Sequence, residues 1–180
     1  HELLLKRWSP RAFAPKPIPQ DTLKSLFEAA RWSASCSNEQ PWAFVVVERD
    51  DENQFHLAKD CLEDGNSIWA RHASALIFTV ARNTFASSGK PNPYAWYDLG
   101  AASAQLALQA EAMDLSVHPM AGFFADRVRQ HFHVPETHTP VSAIAVGYLT
   151  APDDLPEYLQ EREKAPRTRF PQTDFVHWGD

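Results

Sequence analysis

Residues 75–80 read Ala75-Leu76-Ile77-Phe78-Thr79-Val80, and five of these six side chains are apolar. A short run that is apolar on both faces is typical of a strand in a sheet that is covered on both sides. Residues 42–47 (Trp-Ala-Phe-Val-Val-Val) and residues 142–149 (Ser-Ala-Ile-Ala-Val-Gly-Tyr-Leu) have the same character. We predict strands at all three places, with 42–47 as a central strand, and the order of the strands stays open.

Helical patterns alternate with these strands. Leu23, Leu26, Phe27 and Ala30 recur at the spacing of one helix face, which predicts an amphipathic helix. The stretch from 98 to 113 consists largely of small residues, so we expect it to pack closely, either at the centre of the domain or against a second subunit. Helices interleaved with buried strands predict a sheet with helices on both faces.

Composition excludes several classes of protein. The chain has 180 residues and a net charge of −6, which fits a single domain over residues 1–180 and argues against a nucleic-acid partner. The sequence holds no apolar run of about 18 residues, so we predict no membrane span. Its two cysteines, Cys36 and Cys61, form neither a disulfide framework nor a metal cluster. We therefore expect a cytoplasmic protein without a metal site.

Two pairs of alternating arginines stand out in this acidic chain. Arg7 and Arg11 flank Ser9 near the start, and Arg167 and Arg169 alternate near the end. Guanidinium groups stay charged and bind oxyanions through a rigid array of donors. If the fold brings the two ends together, the four arginines would converge on one dianion such as a phosphate. The alternative is that both pairs are ordinary solvated surface charges.

Two further segments are candidates for ligand contact. The stretch from Ser35 to Trp42 gathers hydroxyls, amides and the thiol of Cys36. Amides both donate and accept, which suits the edge of a heterocycle, although a hydrogen-bonded loop would have the same composition. Nothing in the sequence links a histidine to Cys36, so we do not expect a nucleophile there. The second segment, 119–122, ends in Gly122, which permits a close backbone approach to a ligand.

Taken together, these segments resemble the FMN-dependent nitroreductase family over nearly the whole chain. Residues 7–11 are similar to its opening Arg-x-Ser-x-Arg/Lys, residues 34–42 to its loop Pro-Ser-Ser-x-Asn-x-Gln-Pro-Trp, and residues 167–178 to its closing phosphate clamp and tail. The departures are Ala34 and Cys36 in the loop, Ala121 where some members have Glu, and Trp69 where one branch has Lys. These departures concern the subfamily and the substrate.

The resemblance implies a set of FMN-binding residues. It places Arg11 near flavin N1 and the Gly122 N–H near N5, and it requires no acid or base from a side chain. The implied FMN-binding residues are Arg7, Trp8, Ser9, Arg11, Ser35, Cys36, Ser37, Asn38, Gln40, Asn66, Pro119, Met120, Ala121, Gly122, Arg167 and Arg169.

The resemblance also implies a fold and an assembly. The fold is an α+β, α/β/α sandwich with a mostly antiparallel or mixed central sheet. The assembly is a homodimer with FMN at the interface, in which loop 35–42 reaches the flavin of the other subunit and residues 151–180 wrap the partner.

Three functions fit this sequence. The first is an oxidoreductase that transfers electrons from NAD(P)H through flavin N5 to a nitroaromatic, quinone or similar acceptor. The second is the same flavin fold with another reaction, such as dehalogenation, azoline oxidation or flavin breakdown. The third is a non-enzymatic module that binds a phosphorylated ligand or a partner protein through its arginines.

Overall fold

The computed structural model describes residues 1–179, and within them the chain forms one antiparallel sheet and seven α-helices. The strands are β1 (Phe13–Ala14), β2 (Trp42–Glu48), β3 (Ala75–Arg82), β4 (Ser116–Met120) and β5 (His138–Leu149). The helices are α1 (Glu2–Lys6), α2 (Gln20–Arg31), α3 (Glu52–Asp60), α4 (Asp64–Ala70), α5 (Ala95–Ala112), α6 (Ala125–His131) and α7 (Glu157–Lys164). Single 3₁₀ turns form at Cys36–Asn38, Pro152–Asp154 and Gln172–Asp174.

The sheet has the strand order β1-β5-β3-β2, and β4 also pairs with β5. Every pairing is antiparallel, with Ile77 of β3 opposite Ile144 of β5 and opposite Val46 of β2. The expectation that 42–47 is a central strand is wrong, because within residues 1–179 β2 pairs only with β3 and lies at an edge of the sheet. The apolar run at 42–47 carries no information about hydrogen-bonded neighbours, and Ala43 and Val46 of β2 remain exposed in this chain.

The core lies in two layers, one on each face of the sheet. Leu76 and Phe78 of β3 pack on one face with Phe55 of α3, Trp69 of α4 and Leu159 of α7. The intervening side chains point the other way because successive residues of a strand alternate. Ile77 therefore packs with the buried side chains of α2 and α5, which include Leu26, Leu106 and Ala110. This arrangement confirms the predicted α/β/α sandwich.

The small-residue helix α5 begins at Ala95, three residues before its predicted start at Asp98. Ala102, Leu106 and Ala110 are fully buried on its inner side. The opposite side leaves Trp96, Tyr97, Gly100 and Ala104 exposed. Small residues of α5 thus allow close packing inside the chain. On the outer side, two exposed aromatic residues are followed by the small residues Gly100 and Ala104.

The C-terminal segment from residue 151 has two parts, one up to Lys164 that packs on its own chain and one after it that is exposed. Leu155 and Leu159 are buried in the core of their own chain, so the predicted wrapping segment of 151–180 begins too early. Residues 165–179 are almost entirely exposed, with Phe170 at 82% and Trp178 at 87%. Within this tail, Gln172–Asp174 forms a single 3₁₀ turn. Contact of this tail with a partner subunit stays a prediction.

Candidate functional site

The two ends of the chain meet at a cavity of about 300 Å³. Its lining includes Arg7 and the two tail arginines, Arg167 and Arg169, together with Leu4 and Leu5 of α1. The side chain of Arg7 also reaches Ser9, with 3.5 Å between Nη1 and Oγ, and Trp8 between them is half-buried. Three of the four predicted arginines therefore surround one space.

The two tail arginines are held differently. Arg167 donates hydrogen bonds to the backbone carbonyls of Leu5, Lys6 and Arg7, at 2.7, 3.2 and 3.3 Å. These are the last carbonyls of α1 and the residue after it, which have no partner within the helix. Within residues 1–179, the one hydrogen bond of the Arg169 side chain is to the carbonyl of Thr168, at 2.6 Å. Arg167 thus ties the tail to α1, while the guanidinium of Arg169 keeps most of its donors for a ligand.

A larger cavity of about 480 Å³ adjoins the arginine cavity and shares Leu4 and Arg7 with it. Most of its wall is the outer face of α5, from Trp96 to Leu108, and Pro119 of β4 completes it. Thr79 and Ser142 contribute hydroxyls that lie 2.7 Å apart, at an irregularity in the β3–β5 pairing. The combined groove is cationic at one end and mainly apolar along the rest.

Gly122 and Asn66, which are 56 residues apart in sequence, lie in contact. The Asn66 side-chain amide donates to the Gly122 carbonyl at 2.9 Å. The Glu63 backbone N–H donates to the same carbonyl at 3.1 Å. A Cβ at Gly122 would lie 2.7 Å from Asn66 Nδ2 and 2.8 Å from Glu63 Oε2, so this position has no room for a side chain without a shift. Of the residues before it, Met120 is buried and Ala121 is exposed.

Arg11 lies apart from the other three arginines. Its backbone N–H and its Nη1 donate to the two carboxylate oxygens of Glu163, at 3.0 and 3.3 Å. The Glu163 side chain is only 4% exposed, and a buried carboxylate requires a charged partner. Arg11 therefore lines a separate small cavity with Ala12 and His72, and the predicted convergence of all four arginines is wrong for this chain.

His118 contacts the backbone of the segment between Ser9 and Arg11. Its Nδ1 lies 2.9 Å from the Pro10 carbonyl oxygen, and its ring centroid is 4.5 Å from that of Trp69. Burial lowers the pKa of His118 to about 4, and the charge of Arg11 acts in the same direction. A neutral histidine in this position is a packing residue rather than an acid or base at neutral pH.

The polar loop at 35–40 contributes no residue to the two cavities that Arg7 lines. Ser37, Asn38 and Gln40 are exposed, and Ser35 and Cys36 are half-buried. Within the loop, the Gln40 N–H donates to Ser35 Oγ at 3.0 Å, and the Gln40 side chain donates to the Asn38 carbonyl at 3.1 Å. The predicted ligands therefore occupy at least two separate surfaces of one chain.

Four acidic residues at these places were not predicted from the sequence. Asp98 accepts from the Cys36 N–H at 3.0 Å, and Glu39 forms an ion pair with Arg82 at 2.7 Å. Glu63 contacts Gly122, and Glu163 contacts Arg11. For Glu39 and Glu63 the sequence offered one signal, which is that they lie within or near a predicted motif. For Asp98 and Glu163 it offered none, because their partners lie 62 and 152 residues away in sequence.

Three further observations limit what the described residues can do. Within residues 1–179, no group of three or more His, Cys, Asp or Glu side chains is arranged to hold a metal ion. No helix in this described part of the chain combines the length and apolarity needed to cross a membrane. Burial raises the pKa of the Cys61 thiol to about 11, so Cys61 stays protonated near neutral pH and is a packing residue.

A model of the nitroreductase family matches residues 4–148. This chain belongs to the nitroreductase family. The family resemblance that the motifs indicated is thereby confirmed, and so is the predicted fold class.

Known proteins resemble this nitroreductase-family chain over most of its length. A solved structure described as an oxidoreductase containing FMN is 37% identical, with a TM-score of 0.95, and the match covers 100% of this chain and 91% of that one. An uncharacterized 15.4 kDa protein of Mycolicibacterium smegmatis is 38% identical over 132 residues, 72% of this chain and 87% of the relative. An NADH dehydrogenase of Thermus thermophilus is 28% identical over 177 residues, 80% of this chain and 83% of the relative.

Proposed function

We propose that this nitroreductase-family protein is an FMN-dependent oxidoreductase that uses NAD(P)H to reduce a nitroaromatic, a quinone or a similar acceptor. The observation that carries the proposal is the groove in which Arg7, Arg167 and Arg169 surround one cavity and Arg7 and Leu4 lead into a larger apolar one. A flavin mononucleotide has the matching chemistry, with a dianionic phosphate at one end and a flat, largely apolar ring system at the other.

The residues present fit this cofactor. Arg7 and Arg169 would bind the phosphate through charge-assisted hydrogen bonds, and Arg167 would hold α1 and the tail around it. The family resemblance implies that the amide of Asn66 and the backbone at Gly122, which lie in contact, would bind the polar edge of the ring, and Pro119 of the same segment lines the larger cavity. Bound FMN would supply reversible two-electron transfer between a nicotinamide and an acceptor. The protein's part is to bind and orient the cofactor, and His118, which is neutral, takes no proton.

NAD(P)H is proposed as the electron donor because the Thermus thermophilus relative is named an NADH dehydrogenase. That relative and this chain match over most of both sequences. The acceptor is proposed by class only, since the apolar wall formed by α5 suits a flat aromatic molecule.

We further propose that the active protein is a homodimer with FMN at the interface. Large apolar side chains are exposed on α1 (Leu5, 74%), on α5 (Tyr97, 78%) and on the tail (Trp178, 87%), and such surfaces usually mark protein interfaces. Loop 35–40 presents the exposed side chains of Ser37, Asn38 and Gln40, and it contributes no residue to the two cavities that Arg7 lines. This loop would complete the FMN site of the partner subunit, and residues 165–179 would wrap that subunit.

The experiment that tests the cofactor is a visible absorption spectrum of the desalted protein, followed by titration with FMN. We expect two flavin bands at close to one chromophore per chain, and bleaching of these bands when NADH or NADPH is added without oxygen. A protein that remains colourless and gains no thermal stability from FMN contradicts the proposal and supports the anion-binding module. A flavin that dithionite reduces but NAD(P)H does not supports one of the other flavin reactions.

The dimeric arrangement has its own test. In a mixed dimer, one subunit carries an Arg169→Ala substitution and the other carries a Gln40→Ala substitution in the loop. If the loop serves the partner's site, one of the two sites is intact and the mixed dimer retains one tightly bound FMN. If the loop serves its own subunit, both sites are damaged and no tight site remains.

A further inference from the structure

Loop 35–40 holds an unusual backbone conformation. Ser37, Asn38 and Gln40 all have positive φ, at 52°, 57° and 48°. Residues other than glycine rarely adopt this left-handed region of backbone conformation. A cluster of them persists only where surrounding contacts hold it. Strain of this kind concentrates at functional sites. The loop therefore must be held by contacts from outside it.

The main holding contact is made by Glu39, whose side chain is only 10% exposed although its three neighbours with positive φ are exposed. Its carboxylate accepts from Arg82 Nη2 at 2.7 Å and from the Ala86 N–H at 2.8 Å. Arg82 also donates to the Glu39 backbone carbonyl at 2.8 Å and to the Thr84 carbonyl at 3.2 Å. One guanidinium at the end of β3 thus holds both the side chain and the backbone of Glu39.

A second carboxylate holds the start of the loop. Asp98 of α5, which is 3% exposed, accepts from the Cys36 N–H at 3.0 Å. The loop is thus held at Cys36 and at Glu39, so the backbone that carries Ser37, Asn38 and Gln40 is held in place. Two rigid elements of the scaffold, β3 and α5, therefore determine what this loop presents.

We infer that Glu39 and Arg82 are positioning residues, which hold loop 35–40 in the conformation that binds FMN. Glu39 occupies an open position of the loop motif, so this role is additional to the predicted ligand set. The inference rests on the proposed function. The alternative is a purely structural ion pair, which would stabilise the connection between the loop and residues 82–86 without affecting the cofactor.

The test compares Glu39→Gln with Glu28→Gln as a matched control. Glu28 forms an ion pair of similar length with Arg31, 2.6 Å, but this pair lies exposed on α2. The readouts are the FMN dissociation constant from fluorescence quenching and the Tm of the FMN-free protein. We expect Glu39→Gln to weaken FMN binding about tenfold or more, because a charge-assisted bond that holds the loop is lost. Glu28→Gln should leave the affinity within about twofold of wild type.

Arg82→Lys provides a second variant in case Glu39→Gln does not fold. Lysine keeps the charge but lacks the planar array of donors with which the Arg82 guanidinium bonds both Glu39 and the Thr84 carbonyl. We expect weaker FMN binding together with faster hydrogen exchange at the amides of residues 35–40. If FMN affinity is unchanged in Arg82→Lys and in every folded Glu39 variant, the pair is only structural and the inference is overturned. If wild-type protein binds no FMN, the proposed function fails instead.

Discussion

Arg167 donates a hydrogen bond to the backbone carbonyl of Arg7, 160 residues earlier in the chain, at 3.3 Å. The same guanidinium bonds the carbonyls of Leu5 and Lys6. Helix α1 has no buried residue, and the tail beyond Lys164 has almost none. The two ends of the chain therefore hold each other mainly through this side chain, and together they form the walls of the arginine cavity.

The two tail arginines should give different results when they are replaced. Arg169→Ala should weaken FMN binding by about 2–3 kcal/mol, because a charged donor to the phosphate is lost. It should leave the Tm of the FMN-free protein unchanged, because among the described residues the Arg169 side chain bonds only to its neighbour Thr168. Arg167→Ala should weaken FMN binding and also speed hydrogen exchange in residues 2–7. Fluorescence titration and exchange mass spectrometry check both, and equal effects of the two variants on exchange would contradict the division of roles.

Gly122→Ala should disturb the site more than the stability of the fold. The added Cβ would lie 2.7–2.8 Å from Asn66 Nδ2 and Glu63 Oε2, and both are ends of side chains that can move. The bond from Asn66 to the Gly122 carbonyl should break, at a cost of roughly 1 kcal/mol in stability, and FMN binding should weaken. Gly65→Ala on α4 is the matched control, since nothing lies within 4 Å of its Cβ position.

Because helical glycine is less favourable than alanine, Gly65→Ala should stabilise the protein by about 0.5–1 kcal/mol. Urea unfolding and FMN titration of both variants check this pair. Unchanged FMN affinity in Gly122→Ala would show that close approach at this glycine is not required.

Histidine 118 should contribute to a loss of stability in acid. Its pKa is lowered to about 4 in the folded chain, against about 6.5 when unfolded. Between these values the unfolded chain binds the proton more tightly, so the stabilising contribution is complete above pH 6.5 and falls as pH drops toward 4. The full effect is about 3 kcal/mol. Nuclear magnetic resonance titration of the His118 ring checks the pKa, and a midpoint near 6.5 would refute this assignment.

The two cysteines should differ in reactivity. Cys61 is fully buried and its pKa is raised to about 11, whereas Cys36 is half-buried on the polar loop. A thiol reagent at pH 8 should therefore modify one cysteine in the native protein and both in denaturant. A Cys36→Ser variant that still reacts quickly while folded would show that Cys61 is accessible.

Much of the fold could be predicted because burial leaves a local signature. The runs at 75–80 and 142–149 are apolar on both faces, and both are buried strands. The stripe from Leu23 to Ala30 is a helix whose apolar side is buried. The edge position of β2 could not be predicted in this way, since hydrogen-bonded neighbours leave no local pattern.

In the candidate site, too, some features could be predicted from local sequence and others depended on contacts between distant segments. The motifs indicated the family and the three arginines at the cationic end of the groove, because chemistry of a given kind needs particular side chains at fixed short spacings. Most of the apolar wall, which α5 forms, was not predicted as part of a site. Only the tertiary structure decided that Arg11 pairs with Glu163, 152 residues away, that Arg167 holds α1, and that Glu39 reaches Arg82. These are contacts between distant segments, and their partners depend on how the whole chain closes rather than on any local sequence.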